Sequence, residues 1–105
     1  MNPPTLFDAF EHPHRVAYDK FVEANPWVLP RLAHLARDMK DHGLRHYGIA
    51  PLVEVLRYEY HMTNDPSSEW KINNNYRAFL ARDLMRLYPE LDGFFDTRKS
   101  VADEK

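Results

Sequence analysis

The sequence predicts one mainly α domain built from four or five helices. Its 105 residues are enough for one domain, and its 44% hydrophobic and 29% charged residues match globular composition rather than disorder. Apolar side chains recur at the spacing of amphipathic helices, and prolines and asparagines stand where those helices would begin. Residues 1–98 are therefore expected to form the domain, and residues 99–105 a charged, disordered tail.

The first long helix is predicted over residues 13–24, and a short helical turn over residues 5–10 is expected before it. Pro13 stands at the first helical position, where the missing N–H of proline costs no hydrogen bond. One side of this helix is apolar and is expected to face the core: Ala17, Tyr18, Phe21, Val22 and Ala24.

The second helix is predicted over residues 26–40. Asn25 is the expected N-cap, Pro26 the first helical residue, and Gly43 the glycine that follows the C-terminus. Its apolar stripe comprises Val28, Leu32, Leu35, Ala36 and Met39.

The third helix is predicted over residues 50–62, after an extended connector or short strand at residues 44–49. Its apolar arc comprises Leu52, Val53, Val55, Leu56, Tyr60 and Met62. Glu59 lies within that arc, and a buried carboxylate costs several kcal/mol unless it is paired. We therefore expect Glu59 to be at least half buried and bonded to a cation or a tyrosine hydroxyl. A ligand-binding or catalytic acid, or an exposed helix end, are the alternatives.

The fourth helix is predicted from the Asn73–Asn75 caps to about residue 88, after a loop at residues 63–68. A short helical restart at Pro89 and a last short strand over residues 94–97 follow it. The expected core face of this helix comprises Tyr76, Leu80, Leu84, Leu87 and Tyr88. Three of the helices are expected to share one core through Leu32, Leu35, Val55, Leu56, Leu80 and Leu84.

The opposite side of the fourth helix carries a polar stripe of Asn75, Phe79, Arg82 and Arg86. Arginine and asparagine side chains suit contacts with base edges or phosphates, and Lys71, Arg77 and Arg98 would add phosphate contacts. Double-stranded DNA is therefore one predicted partner. A protein partner docking on Phe79, Arg82 and Arg86 is a second, because arginine beside an aromatic ring is typical of interaction hot spots. The third interpretation is a solvated helix face whose Phe79 packs against the first helix.

The order of the elements has the outline of a winged helix, with the fourth helix as the recognition helix and two or three very short strands. Two features oppose this outline. The connection before the fourth helix has about ten residues, where the turn of a helix-turn-helix has three or four. A single candidate strand follows the fourth helix, too few for a two-stranded wing.

The composition excludes several classes of protein. The net charge of −2 excludes a globally basic nucleic-acid binder, although a local basic face stays possible. The absence of cysteine excludes disulfide scaffolds, cysteine-ligated zinc sites and thiol chemistry. No apolar run approaches the length of a membrane span, and no signal peptide opens the chain, so a soluble cytoplasmic protein is expected.

No catalytic, metal or cofactor motif stands out. The six histidines lack a metal-binding spacing. The three glycines are isolated and form no phosphate loop, and no nucleophile elbow occurs. We therefore expect neither enzymatic activity nor a bound cofactor or metal.

Two segments carry a resemblance: YGIAPLVEVLRYEY (47–60) and WKINNNYRAFLARDLMRLYPELDGFFDTR (70–98). They resemble a family of small uncharacterised proteins of bacteriophages, prophages and bacterial genomes, which has no established activity. The resemblance implies a phage or mobile-element context, where small DNA-binding regulators and host-directed interaction proteins are common. A non-enzymatic DNA-binding module is thus the first functional hypothesis, and a module that binds a host or phage protein is the alternative.

Overall fold

The mainly α fold is confirmed by a computed structural model, which describes residues 13–96. Four α-helices follow one another in the described chain: α1 (Pro13–Ala24), α2 (Val28–Asp41), α3 (Ile49–Thr63) and α4 (Arg77–Leu87). Single 3₁₀ turns at Asn74–Tyr76 and Pro89–Leu91 precede and follow α4. The expected helical turn at residues 5–10, the tail and Arg98 lie outside the described residues.

The core lies where α2, α3 and α4 pack against one another. Leu32, Leu56, Leu80 and Leu84 are fully buried there, as expected, and Leu35 packs at its edge. Tyr18 of α1 completes this core, together with Leu91, Phe94 and Phe95 from the C-terminal end of the described chain.

The apolar arcs of α3 and α4 are narrower than the sequence pattern predicted. Val55, Met62 and Leu87 were expected in the core but are exposed. The buried stripe of α3 runs through Leu52, Val53 and Leu56, and Val55 lies about 100° around the helix from Leu56. Leu87 is the last residue of α4, beyond the part of the helix that the core covers. Ala17 and Ala24 of α1 were also expected to face the core and are also exposed.

Asn25 ends α1 instead of capping α2. Its backbone N–H and its side-chain amide both donate to the carbonyl of Phe21, at 2.9 Å each. Helix α2 then begins at Val28 with no side-chain cap. Gly43 follows α2 as expected and has a φ of 108°, a conformation that favours glycine.

In place of the expected strands, residues 13–96 contain one isolated β-bridge. Tyr47 forms an isolated parallel bridge with Phe95, and the Tyr47 N–H donates to the Phe94 carbonyl at 3.0 Å. No two-stranded wing is present in residues 13–96. In the described residues, the order of the helices is therefore the one feature that agrees with the winged-helix prediction.

Candidate functional site

The predicted polar stripe of α4 is interrupted by a buried residue, Phe79. Phe79 is 7% exposed, so the expectation that it is a surface residue is wrong. Its ring stacks on Tyr18 of α1 with centroids 5.2 Å apart, and the Arg15 guanidinium lies 5.5 Å from its centroid. This packing is the third interpretation of the stripe, and it removes Phe79 as an anchor for a protein partner.

Asp83 lies at the centre of the α1–α4 contact. It is 7% exposed and accepts a hydrogen bond of 2.7 Å from the Tyr18 hydroxyl. Arg86 also donates to it, at 3.1 Å. Burial, together with the bond to Asp83, raises the pKa of the Tyr18 hydroxyl. The Asp83 carboxylate thereby joins α1 to α4.

The remaining predicted DNA-binding residues do lie at the surface. Lys71, Asn75, Arg77 and Arg86 are exposed, and Arg82 is partly buried. Arg77 and Arg86 are nine residues apart, which places them about 180° from each other around the helix axis. Arg82 and Arg86 are four residues apart and share one side of α4, whereas Arg77 lies on the other side.

A groove of about 860 Å³ opens between α2 and α3 on another part of the surface. One wall comes from the start of α2, with Trp27, Pro30 and Arg31, and the other from the end of α3, with Tyr58, Glu59 and Met62. We call it the α2–α3 groove. Trp27, Tyr58 and Met62 are 39%, 64% and 67% exposed, and all three are large apolar side chains.

An ion pair joins the two walls of the groove. Arg31 Nε donates to Glu59 Oε1 at 2.8 Å, and its Nη2 donates to Oε2 at 2.5 Å. These bonds hold the pKa of Glu59 below its ordinary value and raise the pKa of Arg31. Glu59 is about two-thirds buried, so the expected partly buried, paired carboxylate is confirmed.

An aromatic stack supports the Trp27 side of the groove. The rings of Tyr60 and Trp70 stack with centroids 4.1 Å apart, and Trp27 lies 5.4 Å from Trp70 and 6.1 Å from Tyr60. The Trp70 indole N–H donates to Asn25 Oδ1 at 3.0 Å, and the Tyr60 hydroxyl bonds to Ser68 at 3.0 Å. The loop after α3 is thereby fixed against the start of α2.

The sequence pattern did not predict this groove. Tyr58 and Met62 are four residues apart and therefore share a helix face, but the pattern placed Met62 in the core. Trp27 lies at the start of another helix, α2. It lines the same groove as Met62 only because α2 packs on α3. The one available signal was Glu59, whose position on an apolar arc marks the ion pair between the walls.

Metal and membrane sites receive no support from the described chain. Residues 13–96 contain no group of three histidine, aspartate or glutamate side chains placed to hold a metal ion. Among the described helices, none combines the length and hydropathy that crossing a bilayer requires. Comparison with known protein families, curated proteins and solved structures finds no match for this chain. The resemblance to phage and prophage proteins therefore stays a prediction.

Proposed function

We propose that this protein is a small interaction module that binds a segment of another protein in the α2–α3 groove. The observation that carries the proposal is the clustering of Trp27, Tyr58 and Met62 around one concave surface. Scattered exposed apolar residues are common on soluble proteins, whereas exposed apolar side chains that line one groove indicate a binding surface. Tryptophan and tyrosine are also the side chains most enriched in interaction hot spots.

The rigidity of the groove supports the same proposal. The Arg31–Glu59 pair holds its two walls together, and the Tyr60–Trp70 stack supports Trp27 from behind. A partner would therefore lose little binding free energy to ordering this surface. The proposed partner is the class that the resemblance implied, a host or phage protein. The proposed docking surface is the α2–α3 groove, in place of the stripe on α4.

Selection from a random peptide library displayed on phage tests this proposal. We expect enriched peptides whose binding weakens at least about tenfold in the Tyr58→Ala and Met62→Lys variants, because hot-spot residues dominate affinity. Leu87→Lys is the matched control, since Leu87 is an exposed apolar residue outside the groove. Enriched peptides that bind Met62→Lys as tightly as the unmodified protein would overturn the proposal, as would the enrichment of none.

A DNA-binding regulator is the second candidate function. Its supporting observation is the exposure of Lys71, Asn75 and Arg77 close to the start of α4. Phosphate contacts make the logarithm of the binding constant fall steeply with the logarithm of salt concentration. Fluorescence anisotropy with mixed-sequence duplex at low salt tests this candidate. An absence of binding at tens of micromolar protein would leave the interaction module as the sole proposal.

A further inference from the structure

Trp27, Tyr58 and Tyr60 line the α2–α3 groove, and Trp70 stacks on Trp27 and Tyr60. The polar atoms of these four side chains fall into two groups. The Trp70 N–H and the Tyr60 hydroxyl have partners inside the protein, Asn25 and Ser68. The Trp27 N–H and the Tyr58 hydroxyl make no hydrogen bond with any described residue, and both side chains are exposed. The groove therefore offers two hydrogen-bond donors beside apolar ring faces.

The charges of Arg31 and Glu59, which both line the groove, cancel one another. Among residues 13–96, Glu59 is the one carboxylate that lines it, and Arg31 occupies both of its oxygens. A cationic ligand would have to compete with Arg31 for that carboxylate, and an anionic one would compete with the carboxylate for Arg31. The complementary ligand is consequently uncharged where it lies in the groove, apolar on its surface and rich in hydrogen-bond acceptors.

An extended proline-rich segment has this chemistry. In a polyproline II helix the backbone carbonyls have no internal partner, and the proline rings pack well on aromatic faces. The wall from Trp27 to His34 spans seven residues of helix, which is about 10 Å. That length accommodates three to four residues of polyproline II at about 3.1 Å each.

We propose, building on the proposed function, that the α2–α3 groove binds a proline-rich segment in the polyproline II conformation. Trp27 and Tyr58 donate to its backbone carbonyls while Met62 and Pro30 contact its rings. An amphipathic helix is the competing occupant of a groove between two helices. A helix bonds its carbonyls internally, however, so its backbone offers these two donors no acceptor.

Nuclear magnetic resonance of the ¹⁵N-labelled protein tests this inference directly. The chain has two tryptophans, so its spectrum contains two indole N–H signals. Titration with a peptide of about ten prolines should move the Trp27 indole signal saturably, because a carbonyl becomes its acceptor. The Trp70 indole, already bonded to Asn25, should move much less and acts as the internal control.

Two variants separate the hydrogen bonds from the ring contacts. Trp27→Phe and Tyr58→Phe keep aromatic rings but remove the donors, and each should weaken binding of the proline peptide about fivefold. Leu87→Lys should bind unchanged. Equal affinity of the proline peptide for the unmodified protein, Trp27→Phe and Tyr58→Phe would overturn the inference.

A second peptide distinguishes failure of this inference from failure of the proposed function. It is an amphipathic helical peptide with leucines at i, i+3, i+4 and i+7. If it moves the signals of Tyr58 and Met62 and the proline peptide does not, the proline inference is overturned and the interaction module stands. If neither peptide moves these signals at millimolar concentration, the proline inference is overturned, and the library selection decides the proposed function separately.

Discussion

The hydroxyl of Tyr18 donates a 2.7 Å hydrogen bond to Asp83, 65 residues later in the chain. This bond joins α1 to the side of α4 that the sequence predicted to face a partner. The same contact buries Phe79 beneath the ring of Tyr18. The first helix therefore covers the middle of the expected binding surface, and the exposed apolar surface lies elsewhere, between α2 and α3.

The Tyr18–Asp83 bond should contribute measurably to stability. Tyr18→Phe removes the hydroxyl and leaves a buried carboxylate with one donor fewer, so we expect a loss of about 1–3 kcal/mol in the free energy of unfolding. Urea denaturation measures this loss. Tyr58→Phe is the control, because its hydroxyl has no partner among the described residues and its loss should change stability by less than about 0.5 kcal/mol. Equal unfolding midpoints for the two variants would contradict the prediction.

The core contribution of α4 should depend on its two fully buried leucines. Leu80→Ala and Leu84→Ala each remove buried methyl groups and leave a cavity, so each should cost about 2–5 kcal/mol in the free energy of unfolding. Val55→Ala, an exposed position on α3, should stay within about 0.5 kcal/mol of the unmodified protein. Thermal and urea denaturation give both values. A loss at Val55 as large as that at Leu80 would mean that α3 buries a different face.

The Arg31–Glu59 pair should make stability depend on pH. Because Arg31 lowers the pKa of Glu59 in the folded state, the contribution of the pair is present above the ordinary glutamate pKa of 4.5 and is lost as the pH falls through the lowered value. Glu59→Gln should therefore be less stable by about 0.5–1 kcal/mol at neutral pH. That difference should narrow as the pH falls through the lowered pKa of Glu59, where the unmodified protein loses the ion pair.

Urea denaturation in a series of buffers from neutral to strongly acidic pH tests the dependence. Glu69→Gln is the matched control, since Glu69 is exposed and makes no ion pair with the described residues. A constant difference between Glu59→Gln and the unmodified protein across this pH range would show that the ion pair does not produce it.

The DNA-binding candidate makes a separate prediction about arginines on α4. If Arg77 or Arg86 contacts phosphate, its replacement by alanine should flatten the salt dependence of DNA binding by about one unit of slope. If the contact is to a base edge, the replacement should instead weaken binding by about 1–3 kcal/mol. Arg45→Ala, at an exposed site between α2 and α3, should change neither. Because Arg77 and Arg86 lie on opposite sides of α4, we expect at most one of them to affect a given duplex.

Helix positions could be predicted well from the sequence, because they depend on local signals. Pro13 marks the start of α1, Gly43 follows the end of α2, and the Asn73 side chain accepts from the Asn75 N–H at the 3₁₀ turn before α4. The paired state of Glu59 was also predictable, because an ionised carboxylate on an apolar arc requires a partner. Its partner was not, since Arg31 lies 28 residues away on another helix.

The sequence by itself determined that this chain forms helices, where most of them begin and end, and that Leu32, Leu56, Leu80 and Leu84 are buried, because periodicity and end signals act within a few residues. Only the tertiary structure decided which outward faces stay exposed. The sequence pattern placed Phe79 outside the core and Met62 within an apolar arc, yet Phe79 is covered by Tyr18 and Met62 is exposed. That difference depends on where α1 packs. Helix α1 contacts α4 through Tyr18 and Asp83, which are 65 residues apart. The spacing of apolar residues within either helix does not predict a contact between such distant residues.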